Sequence, residues 1–266
     1  MPSVSNVAIG SNMAAAAATK ARHGMNESIA RLSTGIRAMY GGDAAGYSVG
    51  TVHDSKAASY ATSTRNIENG ISYAQTGESI LLEVANLAQR IRELAIADDN
   101  VGLLDSNQVA ALDAEATQIG DAIDAILNNT MFNGVDVVDS AASKSVAINY
   151  SGNASSVTTT VGAGVAITAM AGITDATGAD TTADTFLGKV AESLGNIAAD
   201  LTALKAFQGA ASATSANLAA ASARIMDTDY ATETASLTKN SILNQAALSM
   251  AAQANNAQSA ILSVLQ

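Results

Sequence analysis

Apolar positions recur in steps of three and four along most of the chain, the spacing that lays a continuous stripe on a helix. Toward the C-terminus Leu243, Ala247, Met250, Ala254, Ala257, Ile261 and Val264 keep this alternation, predicting one long helix over Tyr230–Gln266. Toward the N-terminus Val4, Ala8, Ser11, Ala15, Ala18, Arg22, Met25, Ile29, Leu32 and Ile36 repeat it, predicting a helix from about Ser3 to about Ser33. Stripes of equal period at the two ends predict that the end segments pair. Both are rich in alanine, which buries little area per residue. Their apolar width exceeds what one subunit can bury, so they are also read as assembly surfaces.

Three further helices are predicted between them. The second runs from about Ala44 to Ala97, with Ile80, Val84, Leu87, Ile91 and Leu94 in heptad register. Asn69-Gly70 inside it is a hairpin-type dipeptide, yet helical periodicity flanks it on both sides. The glycine is therefore read as helical, at a cost of about 1 kcal/mol relative to alanine. Asp105 followed by Gln108 has capping-box spacing and opens a third helix carrying Val109, Leu112, Ala116, Ile119, Ile123 and Ile126. Phe132-Asn-Gly-Val135 reads as a tight turn. The fourth helix carries Leu187, Val190, Leu194, Ile197, Leu201 and Leu204 and continues through Ala223; Arg224–Ala231 forms a joint before the terminal helix.

From Ser140 to Asp184 the composition shifts to Ala, Gly, Ser and Thr. The alternating runs Val146–Tyr150 and Val157–Val161 predict a small hairpin in an exposed insert. The expected fold is mainly α: a heptad-packed bundle of long helices, paired N- and C-terminal helices, and a small β-hairpin insert. The expected division is residues 1–43 with 224–266 as a terminal paired-helix domain, 44–139 with 185–223 as the bundle, and 140–184 as the insert.

Composition narrows the function classes. Thirteen Lys and Arg against 24 Asp and Glu give a net charge of −11 over 266 residues. That balance argues against nucleic acid, which needs a basic face, and against anionic membrane surfaces. No apolar run is long enough for a membrane-spanning helix, and the N-terminus lacks a secretory signal pattern. The absence of cysteine excludes disulfides and thiolate metal sites. Aromatics are only 3% and the one proline is Pro2, in keeping with long, thin helix packing.

Candidate chemistry is sparse. His23 and His53 are the only histidines and stand apart from other ligands, so they are read as helix-face residues. Neither a His-Glu-x-x-His nor a phosphate loop ending in Lys-Ser or Lys-Thr occurs. Asp227 and Asp229 are read as capping residues of the joint. Asn128-Asn-Thr130 and Asn153-Ala-Ser155 fit the N-glycosylation pattern and are read as plain loop residues. The protein is expected to be no enzyme and to need no cofactor or metal.

Several motifs, in order, resemble bacterial flagellin. They are Arg31-Leu-Ser-Thr-Gly-Ile-Arg37, Asp43-Ala-Ala-Gly46, Arg65-Asn-Ile-Glu-Asn-Gly-Ile-Ser72, Gln89-Arg-Ile-Arg-Glu-Leu-Ala95 and Phe132-Asn-Gly-Val135. They continue with Ala223-Arg-Ile-Met-Asp-Thr-Asp-Tyr-Ala-Thr-Glu233, Ala251-Ala-Gln-Ala-Asn255 and Ile261-Leu-Ser-Val-Leu265. The chain resembles a short flagellin lacking large outer domains.

The resemblance implies an extracellular subunit that polymerises with itself into the bacterial flagellar filament, its terminal helices lining the central channel. It implies export through the flagellar secretion apparatus, and an export chaperone, a filament cap and junction proteins as partners. Val4, Met25, Ile29, Leu32, Leu243, Met250, Ile261, Leu262, Val264 and Leu265 are the expected assembly residues. Gln89, Arg90, Leu94 and Glu115 match the surface that flagellins present to Toll-like receptor five and to axial neighbours. A hook–filament junction protein and a secreted helical module seen by a host receptor are the competing functions.

Overall fold

The structure, a computed structural model, describes residues 2–38, 41–100, 102–138, 144–147, 158–161, 170, 173 and 175–264. Five helices dominate: α1 (Pro2–Thr34), α2 (Ala44–Asp98), α3 (Ser106–Asn129), α4 (Ala179–Met226) and α5 (Tyr230–Val264). Two small antiparallel hairpins join them, β1 (Met131–Phe132) with β2 (Val135–Asp136), and β3 (Lys144–Ala147) with β4 (Thr158–Val161). The chain divides into two compact units: Met1–Ser55 with Leu218–Gln266, and Lys56–Asn217.

Within Lys56–Asn217, α2, α3 and α4 share one core. Ile67, Leu81, Val84 and Ile91 of α2, Ile123 and Leu127 of α3, and Phe186, Val190, Ile197 and Leu204 of α4 are buried together. The heptad rows of the sequence supply six of these ten. Val84, Ile91, Ile123, Val190, Ile197 and Leu204 are buried, whereas Ile80, Leu87, Ile119, Ile126, Leu187, Leu194 and Leu201 are half-buried at the edge of the core. The deepest companions lie one residue away, at Leu81, Ala88, Leu127 and Phe186. A helix flanked by two others buries a wider arc than a two-residue seam, so its centre shifts off a strict heptad line.

Local signals account for the ends. At α3 the main-chain N–H of Asp105 donates to Gln108 Oε1 at 3.0 Å, closing one arm of the predicted capping box. Between β1 and β2, Asn133 and Gly134 both take positive φ, 53° and 76°, the pair of angles a two-residue hairpin turn requires. Helix α4 starts at Ala179, inside the stretch expected to be insert, just after Gly178 at φ 71°. Its first turns bury Ala179 and Ala183, residues too small to register as a heptad stripe. Two carboxylates of the neighbouring helices hold the approach to it: Asp113 Oδ1 accepts the Ala176 N–H at 2.8 Å, and Asp98 Oδ2 accepts the Thr177 hydroxyl at 2.9 Å. The hairpin register runs Lys144↔Val161 to Ala147↔Thr158, so β3 begins two residues before the predicted strand. Residues 148–150 lie outside the described residues.

Gly70 is helical, and packing explains it. A Cβ there would come within 2.9 Å of Val146 Cγ2 on β3 and 3.6 Å of Leu204 Cδ1 on α4. The glycine gives up about 1 kcal/mol of helix propensity to let a strand and a helix close over it. Gly70→Val is expected to destabilise Lys56–Asn217 by about 1–3 kcal/mol through overpacking, measured by urea unfolding. Unchanged stability would show that the site has room.

Within Met1–Ser55 with Leu218–Gln266, α1 and α5 run antiparallel. The isolated bridge Ile36↔Asp227 fixes the direction where the two helices meet the joint.

Candidate assembly surface

The contact between α1 and α5 is narrow and built of small residues. On α1 it buries Ala14, Ala18, Ala21 and Ser28; on α5 it buries Glu233 and Ala247, with Asn240, Asn244, Ala251 and Ala254 half-buried beside them. Alanine at these positions lets the backbones approach closely. At Gly24 there is no room for a side chain: a Cβ there would lie 2.6 Å from Asn240 Nδ2.

The predicted stripes and this seam coincide only at every seventh residue. Ala18, Ala247 and Ala254 are shared, and Met25 and Leu32 are half-buried along it. The alternate members face out: Ile29 is 49% exposed, Leu243 48% and Met250 56%. Three large apolar residues that the heptad rows missed join them, with Met13 at 69%, Ile242 at 60% and Ile9 at 53% exposure. They were missed because they lie off the four-three row. Val4, Ile261, Leu262 and Val264 sit on the helices, but their side chains, like the whole of Leu265, lie outside the described residues.

The joint brings two sequence motifs together that are nearly two hundred positions apart. Gly35, at φ 72°, turns the chain out of α1. The Arg37 N–H donates to the Met226 carbonyl at 2.6 Å, and the Thr228 N–H donates to the Gly35 carbonyl at 2.9 Å. Arg37 Nη2 donates to the Ile225 carbonyl at 2.7 Å. Arg31 lies 3.6 Å from the buried carboxylate of Glu233 and ties α1 to the first turn of α5.

Asp229 caps α5: its Oδ1 accepts the N–H groups of Ala231 at 2.9 Å and Thr232 at 3.2 Å, and its Oδ2 accepts the Thr232 hydroxyl at 2.9 Å. The Thr232 hydroxyl and these N–H groups hold its carboxyl below the ordinary value of 3.8. A carboxyl depressed on folding stabilises the fold above its unfolded pKa and loses that contribution as pH falls through the folded value. Asp229→Ala is therefore expected to melt earlier than the parent at pH 7, with the two curves converging as pH falls through the depressed pKa of Asp229, read by thermal circular dichroism. A constant gap across that range would show that the charge is irrelevant.

Elsewhere, on Lys56–Asn217, Gln89, Arg90 and Glu115 are exposed side by side. Arg90 binds Glu115 Oε1 through Nε at 2.9 Å and Nη2 at 2.7 Å, and reaches Glu93 at 3.3 Å. Its hydrogen bonds to Glu115 and Glu93 raise its pKa further. Leu94 is 3% exposed and packs with Ala116 and Ala176, so it supports this surface from beneath.

Among the described residues no group of three His, Cys, Asp or Glu is placed to hold a metal ion, and no helix is long and apolar enough to cross a membrane. The arrangement is that of a long-helix protein whose first and last helices pair. The model of the bacterial flagellin N-terminal helical region matches residues 5–143, and that of the C-terminal helical region matches residues 179–265. A flagellin of Halalkalibacterium halodurans is 33% identical over 250 residues, covering 89% of this chain and 90% of the relative. A Bacillus subtilis flagellin is 30% identical over 277 residues, covering 89% and 91%. A Treponema phagedenis flagellar filament 33 kDa core protein is 29% identical over 265 residues, covering 91% and 92%. A crystal structure of Bacillus cereus flagellin, 24% identical, covers 58% of this chain and 88% of that one with a TM-score of 0.39. The chain belongs to the bacterial flagellin family, whose members are structural subunits of the flagellar filament.

Proposed function

We propose that this subunit polymerises through the outward faces of α1 and α5, with the seam between them holding each subunit together. The observation that carries this is the row of large apolar side chains left open on both terminal helices, Ile9, Met13 and Ile29 on one and Ile242, Leu243 and Met250 on the other. Exposed apolar surface on this scale marks a partner surface. A second copy fits, because the family assembles with itself. On this reading residues 1–43 with 224–266 form the filament core, 44–139 with 185–223 the surrounding tube, and 140–184 face outward. The role is structural and not catalytic. Export with a chaperone, and contact with cap and junction proteins at the filament ends, place the assembled protein outside the cell.

The test is negative-stain imaging of the purified chain together with hydrogen exchange. The alanine seam offsets little of the roughly 1–2 kcal/mol per residue needed to order the backbone. Amides of α1 and α5 are therefore expected to exchange rapidly in the monomer and slowly in the polymer. Absence of filaments, or equal protection in both states, would overturn the reading.

The exposed cluster of Gln89, Arg90 and Glu115 favours a second role, as the surface met by an axial neighbour and by Toll-like receptor five. Arg90→Ala is expected to weaken both polymerisation and receptor signalling, and intact filaments are expected to signal poorly. Equal signalling from filament and monomer, in a reporter-cell assay, would separate the two surfaces.

A further inference from the structure

Two of the most exposed apolar residues on the terminal pair are methionines, and the fold sets them level with each other. Three contacts give the register of the antiparallel pair: Gly24 against Asn240, Arg31 against Glu233, and Gly35 against Thr228. In each the residue numbers total 263 or 264. Met13 and Met250 fit the same register, so they stand at the same height on the two helices. Each also precedes a seam residue by one position, Ala14 on α1 and Ala251 on α5. One residue is about 100° of rotation. Equal rotation in the same sense on two antiparallel helices leads to the same side of the pair. Met13 and Met250 thus share one face and one level, at 69% and 56% exposure. Met170 and Met226, by contrast, are buried.

We propose that Met13 and Met250 form an oxidation-sensitive patch that withdraws the free subunit from polymerisation when a peroxide reaches it. The inference rests on the assembly reading above. The thioether sulfur attacks one peroxide oxygen; an S–O bond forms as the O–O bond breaks. The sulfur is oxidised by two electrons to the sulfoxide, and the leaving hydroxide takes up the remaining proton as water. A flexible apolar side chain becomes a polar, chiral one. On a face that a neighbouring copy covers, the sulfoxide loses its water without gaining a matched donor. Two such groups at one level concentrate the effect on one contact. In the filament the same face is covered, so the assembled polymer shields the sulfurs and the unassembled subunit is the vulnerable form.

The experiment treats monomers and preformed filaments with hydrogen peroxide. Peptide mass spectrometry reads sulfoxide at Met13, Met250 and, as an exposed reference on Lys56–Asn217, Met131, which is 57% exposed. Met13 and Met250 are expected to oxidise at the rate of Met131 in monomers and at least about tenfold more slowly in filaments. The critical concentration for assembly of oxidised monomer, read by sedimentation, is expected to rise about tenfold or more. Met13→Leu with Met250→Leu keeps side-chain volume and is expected to assemble after peroxide as well as before it. Circular dichroism checks that the variant and the oxidised protein keep their helices. Methionine sulfoxide reductase is expected to restore assembly of the oxidised parent.

Three results would overturn the inference. They are equal assembly with and without oxidation, equal oxidation of the two residues in filament and monomer, and loss of assembly on peroxide treatment of the leucine variant. Failure of untreated protein to sediment as filaments is a different outcome: it would overturn the assembly reading before peroxide is added.

Discussion

Ile242→Asp combined with Leu243→Asp is expected to abolish filament formation while leaving the subunit's fold intact. Both side chains are open to solvent in the single chain, at 60% and 48% exposure, so the free subunit pays almost nothing for the change. In a polymer that covers this face, each subunit would bury two carboxylates without partners. Burying an unpaired charge costs several kcal/mol, and the cost recurs at every contact. Assembly should therefore fail outright. Sedimentation measures the polymer and circular dichroism melting measures the fold. Normal filaments from this variant would show that the outward face of α5 is not the assembly surface.

Ala247→Asp is expected to fail by the opposite route. Ala247 is 1% exposed and sits in the seam facing α1, where the buried residues of α1 are Ala14, Ala18, Ala21 and Ser28. A carboxylate there must either strip its water or push the helices apart. The pair of α1 and α5 is expected to come undone in the monomer, and polymerisation to be lost with it. The core of Lys56–Asn217 buries Ile67, Leu81, Ile91 and Leu204 independently of that seam. Its melting transition is expected to stay within about 0.5 kcal/mol of the parent, as for a distant surface change. Helical circular dichroism of the monomer below the parent's in Ala247→Asp, against parental helix content in the Ile242/Leu243 variant, would separate folding from assembly. Parental helix content in both would refute the seam as drawn.

The two variants lie four and five positions apart on one helix, and sequence periodicity alone treats Leu243 and Ala247 as members of one stripe. The tertiary structure divides that stripe. Every seventh residue, Ala247 and Ala254 on α5 and Ala18 on α1, turns inward, and the intervening large residues stay open. A heptad row states which residues share a helical face. It does not state how much of that face the single chain covers.

What the sequence by itself determined was the order and type of the elements. Unbroken steps of three and four mark α1 to α5, Asp105 with Gln108 marks the start of α3, and Asn133-Gly134 marks the turn between β1 and β2. All of these act over a few residues, where propensity, capping and turn geometry decide. It also carried the family, through motifs spread over both halves of the chain. Contacts across long separations were decided only by the tertiary structure. No local pattern foretells that the Gly35 carbonyl receives the Thr228 N–H, that Arg31 meets Glu233, or that Gly70 lies under Val146 and Leu204. Leu94 was legible as an apolar heptad member, but only packing against Ala116 and Ala176 placed it beneath the surface of Arg90 and Glu115. The start of α4 at Ala179 was hidden because alanine carries too little apolar signal to mark a face, yet is small enough to be wholly buried where two helices close on it.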